Sequence, residues 1–431
     1  MSRLGIGGGP RRGGADEAAI VELLLTLGWV AEVRSGDRAA AQRQVRQTLD
    51  RLVDAGLPCH RAASGERRFD PGEVANFAIW FSLETGDRSW LDRCAPRHRR
   101  FVWAAHGLEP RPDARPPPPT ALPPRRFAVR FERLFNLRGR TAGAPAWLRL
   151  PRPIEDEVLR DLKVTAAPSP DTARITAGVG RLDVRLEVPA SLEVELGFAA
   201  AFTAYPSGGQ AAPPPRLDAA DRALFTRPAE GLIRVDDAVA RLAAELAGDE
   251  RDPWTQVRRF WDFGLGRLRH GVVHHDEIDR ARPGGWVVEN GWCDCHVGSA
   301  LLAALCRARG IPARLVGGYV MDPDTPYHHY WAEAWIEDRG WLPLDLNMSW
   351  HFANGGRDPA WRDYYFGRLD YRMKTEVLPH LFNGLGSLRF PPTWHRLSRL
   401  LDQGLEMSFH DSADGALIHR DRVAIAEEGA L

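Results

Sequence analysis

The sequence lacks any apolar run of eighteen or more residues, which argues against a membrane-spanning helix. It also lacks an excess of either charge: Lys plus Arg number 57, and Asp plus Glu number 57. That balance gives no overall electrostatic reason to expect nucleic acid or an anionic membrane as partner. Cysteine is sparse. Cys59, Cys94, Cys293, Cys295 and Cys306 make an odd set in a long chain, the pattern of reduced thiols rather than of a disulfide framework. The opening MSRLGIGGGPRRGG has basic residues but neither an apolar h-region nor a small-residue cleavage site. It reads as a disordered lead-in over 1–14 and not as a secretory signal, so the expected location is the cytoplasm.

What the chain does have is length and punctuation. At 431 residues it is too long for one small core, and two or three domains are expected. Residues 15–108 read as a helical domain. Ile20, Leu23, Leu24 and Leu27 share one helical face, and Val45, Leu49, Leu52 and Val53 repeat the pattern. A helix followed by LPCHRAASGERRFDP also suits a winged-helix module, but without a dense basic stripe a helical domain packed on the rest is the preferred reading. EPRPDARPPPPTALPPR, residues 109–125, is a stiff proline-rich linker. Period-two alternation, as in LDVRLEV and LEVEL, then predicts an antiparallel β domain over 126–206. A second linker spans 207–225. Helices return at DAVARLAAELAG and DPWTQVRRFWDFGLGRLRH, with Pro253 suited to a first turn.

The chemistry concentrates in GWCDCHVGSALLAALCRARGIPARLVGGYV, residues 291–320. His296 to Arg309 are strong helix formers, Gly310 is placed to end the helix, and ARLVGGYVM reads as a buried strand. Cys295 therefore sits at a helix N-terminus, where free N–H groups and the macrodipole favour the thiolate a nucleophile needs. Asp294 beside it opposes that, so the helix end and a base must outweigh it. YHHYWAEAWIE alternates as a strand, and Asp338-Arg339-Gly340 turns the chain into WLPLDL. His329 can take the thiol proton while Asp345 fixes its tautomer. A tight hairpin at 338–340, however, sets Asp345 opposite Glu333, so reaching His329 requires a bulge, a register offset or a longer turn. His328 faces away from His329. Trp331 and Glu333 share its face and are expected to pack and brace. Cys306 reads as a small hydrophobe, and Trp286, Asn290 and Trp292 are candidates for an oxyanion site or substrate wall.

C-x(11)-R-A-x-G-I-P-A-R from Cys295, H-x-W-x-E from His329 and W-x-P-x-D ending at Asp345 resemble the three core motifs of the transglutaminase-like superfamily. The resemblance spans 226–390, includes YYFGRLDYR, and leaves 391–431 as a C-terminal extension. It implies an α+β fold with a papain-like core, a preceding β domain as in bacterial members, and catalysis by Cys295, His329 and Asp345 through a thioester. One departure is Cys293, which stands where the family usually has Gly two residues before the nucleophile. Cys293 is thus a rival nucleophile, although using it shifts the helix spacing by two.

The expected reaction is acyl transfer from an amide or thioester, in a peptide, protein or small molecule, to an amine. The alternative is a cysteine peptidase or amidase with water as acceptor. A different class is a binding module that kept the fold without its chemistry. No cofactor or metal is expected. Cys293, Cys295, His296, His274, His275, His328 and His329 lack the usual C-x(2–4)-C zinc spacing, and no EF-hand-like calcium loop is present.

Overall fold

Aspartate begins many of the helices in the computed structural model. Asp37, Asp218, Asp236, Asp252, Asp294, Asp345 and Asp358 each accept a first-turn backbone N–H, satisfying donors that a helix start leaves open. The structure describes residues 15–26, 37–55, short runs between 57 and 89, 117, 122–137, 140–166, 173–178, 181–206, 216–270, 278–279, 281–321, 327–353, 358–378, 396–397, 407–412 and 415–430. The lead-in 1–14 and most of the proline-rich linker lie outside them.

The N-terminal part is not purely helical. β1 (Ala15–Asp16), α1 (Glu17–Thr26) and α2 (Arg38–Asp54) are followed by β2 (His60–Arg61) and β3 (Arg67–Phe69), with β1 and β2 both antiparallel to β3. Strands of two or three residues carry no readable period, which is why the helical reading missed this small sheet. Arg67 ties it to the helices through Glu17 at 2.8 Å and Asp50 at 2.7 Å.

The expected β domain contains β4 (Arg125–Asn136), β5 (Pro145–Pro151), β6 (Leu159–Ala166), β7 (Arg174–Gly178), β8 (Arg181–Glu187) and β9 (Glu193–Ala204). β4, β9 and β6 are neighbours in one sheet, and β5, β8 and β7 form another. Alternate residues Phe127, Val129 and Phe131 are buried, and Phe131 stacks on Phe198 with centroids 5.0 Å apart. Leu148, Leu150, Leu182, Val184 and Leu186 of the other sheet share this core. Two sheets closing one apolar layer is the sandwich solution for strands with one buried face.

The core then runs α3 (Ala219–Phe225), β10 (Ala229–Glu230), β11 (Ile233–Arg234), α4 (Asp237–Ala247), α5 (Pro253–Arg267), β12 (Arg269–His270), α6 (Pro283–Asn290), β13 (Trp292–Cys293) and α7 (Cys295–Ala308). β14 (Ala313–Val320), β15 (Tyr327–Ile336), β16 (Gly340–Leu344), α8 (Leu346–Phe352), α9 (Pro359–Arg362) and β17 (Arg372–Leu378) complete it. The main sheet has the order β16-β15-β14-β17, antiparallel throughout. The fold is α+β, as expected.

α7 is the central helix, with Val297, Leu301, Leu302 and Leu305 all buried and with contacts to β14, β15, α4, α5 and α6. Its C-terminal motif has a mechanical explanation. Gly310 adopts φ +73°, a conformation suited to glycine, and Ile311 N–H returns to Cys306 O at 3.0 Å. Arg307 donates from Nε to Ala313 O and from Nη1 to Arg227 O, both at 2.9 Å. The helix end is thereby fixed to the strand that follows. At Gly318 a Cβ would lie 2.1 Å from Met373 O, so β14 and β17 approach closely enough there to require glycine.

The C-terminal segment is part of the β domain rather than an appendage. β18 (Arg396–Leu397), β19 (Met407–Ser412) and β20 (Gly415–Ala430) extend its larger sheet, with β20 antiparallel to β4. The domains also share contacts. Tyr319, Met321, Tyr371 and Met373 belong to the β-domain core, and Tyr371 Oη donates to Pro123 O at 2.6 Å.

Candidate active site

Three different elements deliver Cys295, His329 and Asp345 to one place. Cys295 is the first residue of α7, and the Asp294 carboxylate before it accepts from His296 N and Val297 N, both at 2.9 Å. Cys295 is 9% exposed, against 0% for Cys293 and Cys306. His329 lies within β15 and is hydrogen-bonded to the Cys295 side chain. Its Nε2 is 2.9 Å from each Asp345 carboxylate oxygen.

Asp345 reaches His329 without any bulge. The β15–β16 register is regular, with Glu333 opposite Pro343. The turn is Glu337-Asp338-Arg339, with Asp338 at φ +66° and Gly340 at φ +78°. The expected pairing of Asp345 with Glu333 is therefore corrected, because the turn sits one residue earlier and shifts every partner by two. Moreover β16 ends at Leu344. Asp345 leaves the strand as the N-cap of α8, accepting from Met348 N at 3.0 Å, and its own N–H donates to Tyr365 O at 3.3 Å. Its carboxylate thus approaches the imidazole from a helix start.

The electrostatics follow from burial and pairing. Burial pulls the His329 imidazole down, but the charge and hydrogen bonds of Asp345 and the contact with Cys295 outweigh it, and its pKa is pushed up to about 9. Burial pushes Asp345 up. His329, Arg372 and the Met348 N–H reverse this and hold its carboxyl below the usual range. Arg372 was missed by the motif reading, although it lies in YYFGRLDYR. Its Nη2 is 2.9 Å from Asp345 Oδ2 and 2.8 Å from Asp370 Oδ1.

Cys293 occupies a different environment. Its Sγ is 3.7 Å from both ring nitrogens of His270, and Asn347 Nδ2 lies 3.3 Å from His270 Nδ1. Burial pushes the Cys293 thiol well up, with Asp294 and Cys295 adding to it, while burial pulls His270 down to about 4. Neither His270 nor Asn347 has a sequence signal, because the parallel contact of β12 with β13 that aligns His270 with Cys293 is only two residues long.

The bracing residues brace. Glu333 accepts from Arg314 Nε at 2.7 Å and from Trp331 Nε1 at 3.1 Å, and Lys374 Nζ is 2.9 Å away. Lys374 in turn meets Asp156 at 2.8 Å, joining the site's sheet to the β domain. His328 is apart from Asp345, between Tyr319 and Tyr330 with Glu376 at 3.8 Å. Asn290 is exposed and turns back to Trp286 O at 2.7 Å, which removes the ground for an oxyanion role. Trp286 and Trp292 are half-buried against the core. Among the described residues no three His, Cys, Asp or Glu side chains are grouped to hold a metal ion. His274 and His275 lie outside those residues.

No curated protein matches the chain. A candidate cysteine protease from Cytophaga hutchinsonii is 15% identical, with TM-score 0.45, covering 71% of this chain and 91% of its own. The periplasmic domain of TgpA from Pseudomonas aeruginosa is 17% identical, with TM-score 0.32, covering 56% of this chain and 92% of its own. Residues 240–346, the segment that holds Cys295, His329 and Asp345, match the model of the transglutaminase-like superfamily.

Proposed function

We propose that this chain is a thiol enzyme transferring an acyl group through a thioester on Cys295, from an amide or thioester donor to an amine. The observation that carries the reading is the placement of His329 between the Cys295 thiol and the Asp345 carboxylate. In the first half-reaction His329 takes the Cys295 thiol proton, the sulfur bonds to the acyl carbon, and His329 returns that proton to the amine or thiol that leaves as its bond to the carbon breaks. In the second, the acceptor amine attacks the thioester and gives its proton to His329 as the sulfur leaves. Asp345 stays ionised and holds the imidazole in place. Water in place of the amine gives the peptidase or amidase outcome. The four described cysteines are free thiols, which suits a reducing compartment, and we place the enzyme in the cytoplasm. Recovery outside the cytoplasm on cell fractionation would refute that placement.

The test begins with brief iodoacetamide treatment at pH 6 and peptide mapping of the adduct. At that pH ordinary thiols react slowly. Selective modification of Cys295, lost in Cys295→Ala and retained in Cys293→Ala, is the expected result. Equal labelling in Cys295→Ala would sink the assignment. Amide, peptide and thioester donors are then tried with and without a primary amine. An amine-dependent product supports acyl transfer, hydrolysis alone supports the peptidase outcome, and no turnover with an unreactive Cys295 supports a binding module.

A further inference from the structure

Two cations share one buried carboxylate. Asp345 Oδ1 meets His329 Nε2 and Met348 N–H, while Asp345 Oδ2 meets His329 Nε2 and Arg372 Nη2. Asp345 and the Arg372 side chain are both essentially inaccessible to water, at 0% and 1% exposure. A charge buried without a partner is costly, so an Asp345 that faced only His329 would hold the imidazolium proton strongly. Acyl transfer requires that proton to move twice. We propose that Arg372 is a positioning residue that fixes the Asp345 carboxylate and shares its charge, leaving His329 free to release its proton. The inference rests on the acyl-transfer reading above.

The surroundings of Arg372 support this role. Asp370, 25% exposed, lies 2.8 Å from the same Nη2 and accepts from Tyr365 Oη at 3.2 Å. The Trp331 ring lies 5.9 Å from its Cζ, so the guanidinium is confined between an aromatic face and two carboxylates. The groups facing His329 are Cys295 from α7, Asp345 from α8, and Asp370 and Arg372 before and in β17. On its own strand His328 is near Glu376, and Glu333 is paired with Arg314 and Lys374. His270 from β12 faces Asp345 and is held neutral by burial. Arg372 is thus the cation beside the His329–Asp345 pair that does not titrate.

The experiment reads His329 without needing a substrate. Iodoacetate is an anion, so its reaction with Cys295 is fastest while His329 is an imidazolium and falls as that proton is lost. Alkylation of Cys295 is followed by peptide mapping from pH 5 to 11. Arg372→Gln removes a cation and stabilises the imidazolium, so the alkaline fall should move up by about half to one pH unit. Arg372→Lys keeps the charge and should return it close to wild type. Asp370→Asn removes a largely buried anion and should move it down. An unmoved fall in Arg372→Gln overturns the proposal. If Arg372→Gln does not fold, Asp370→Asn decides, with a downward shift supporting and no shift overturning. A wild-type Cys295 that reacts as an ordinary thiol, with no alkaline fall, refutes the acyl-transfer reading itself, a different result from an unmoved fall.

Discussion

His329 Nε2 lies 2.9 Å from both carboxylate oxygens of Asp345, so the other ring nitrogen is the one available to the Cys295 thiol. Under the proposed function this orientation gives the proton path its direction: the carboxylate sets the tautomer, and the opposite edge of the ring handles the proton of the sulfur. It also explains why a strand and a helix start are combined. A carboxylate within β16 would share that strand's alternation, whereas the N-cap of α8 is free of it.

Asp345→Asn should preserve the outline of the site while removing the anion that holds the imidazolium. A fall in kcat/KM of about 100- to 10,000-fold is expected, the range that general acid–base assistance supplies. The rate of Cys295 alkylation at pH 6 should fall with it. Unchanged alkylation in a folded Asp345→Asn protein would contradict the role given to the pair.

The His329 proton also affects stability. Its pKa rises from 6.5 to about 9 on folding, so the folded state binds the proton more tightly than the unfolded state. The resulting stabilisation is complete below pH 6.5 and disappears as the pH climbs through about 9. Its ceiling is on the order of 3 kcal/mol. Urea midpoints of wild type and His329→Gln should therefore converge over that window. A gap independent of pH between 6 and 10 would count against the shift.

The legible parts of this molecule were those written in local order. The helix after Cys295, the spacing to Arg307 and the strand bearing His329 are each contiguous, and each is found as read. The motif identifies Asp345 but counting misplaces it, because moving the turn by one residue moves every partner by two. Arg372 was unreadable as a partner of Asp345. It arrives only because β17 folds back onto β14, a non-local pairing with no signature in spacing. The same cause hid β20, a sixteen-residue strand that pairs with β4 from the far end of the chain.

Glu333 should prove structural in a way that a packing residue is not. Its pKa is held down to about 2, with burial opposed by Arg314 and Lys374. Glu333→Ala takes the shared carboxylate away from the buried Lys374 and the partly buried Arg314 and should destabilise the fold by roughly 3 kcal/mol. Lys374 would retain only Asp156 across the domain contact. Chemical denaturation checks this, and a loss below about 1 kcal/mol, the worth of a surface pair, would contradict the network.

Cys293 and Gly298 offer a test of the rival thiol that does not depend on activity. A Cβ at Gly298 would meet Cys293 Sγ at 2.9 Å and Cys293 Cβ at 3.3 Å. Alanine within a helix ordinarily gains about 1 kcal/mol over glycine. Here overpacking against a buried side chain with a single rotatable bond should reverse the sign, costing roughly 1–3 kcal/mol. Removing the sulfur in Cys293→Ala opens the space, so the double variant should be more stable than Gly298→Ala alone. Strict additivity would mean that Cys293 does not fill the gap beneath α7. Coupling of about 0.5 kcal/mol or more, with Cys295 alkylation intact in Cys293→Ala, would identify Cys293 as the residue on which the helix bearing Cys295 is packed.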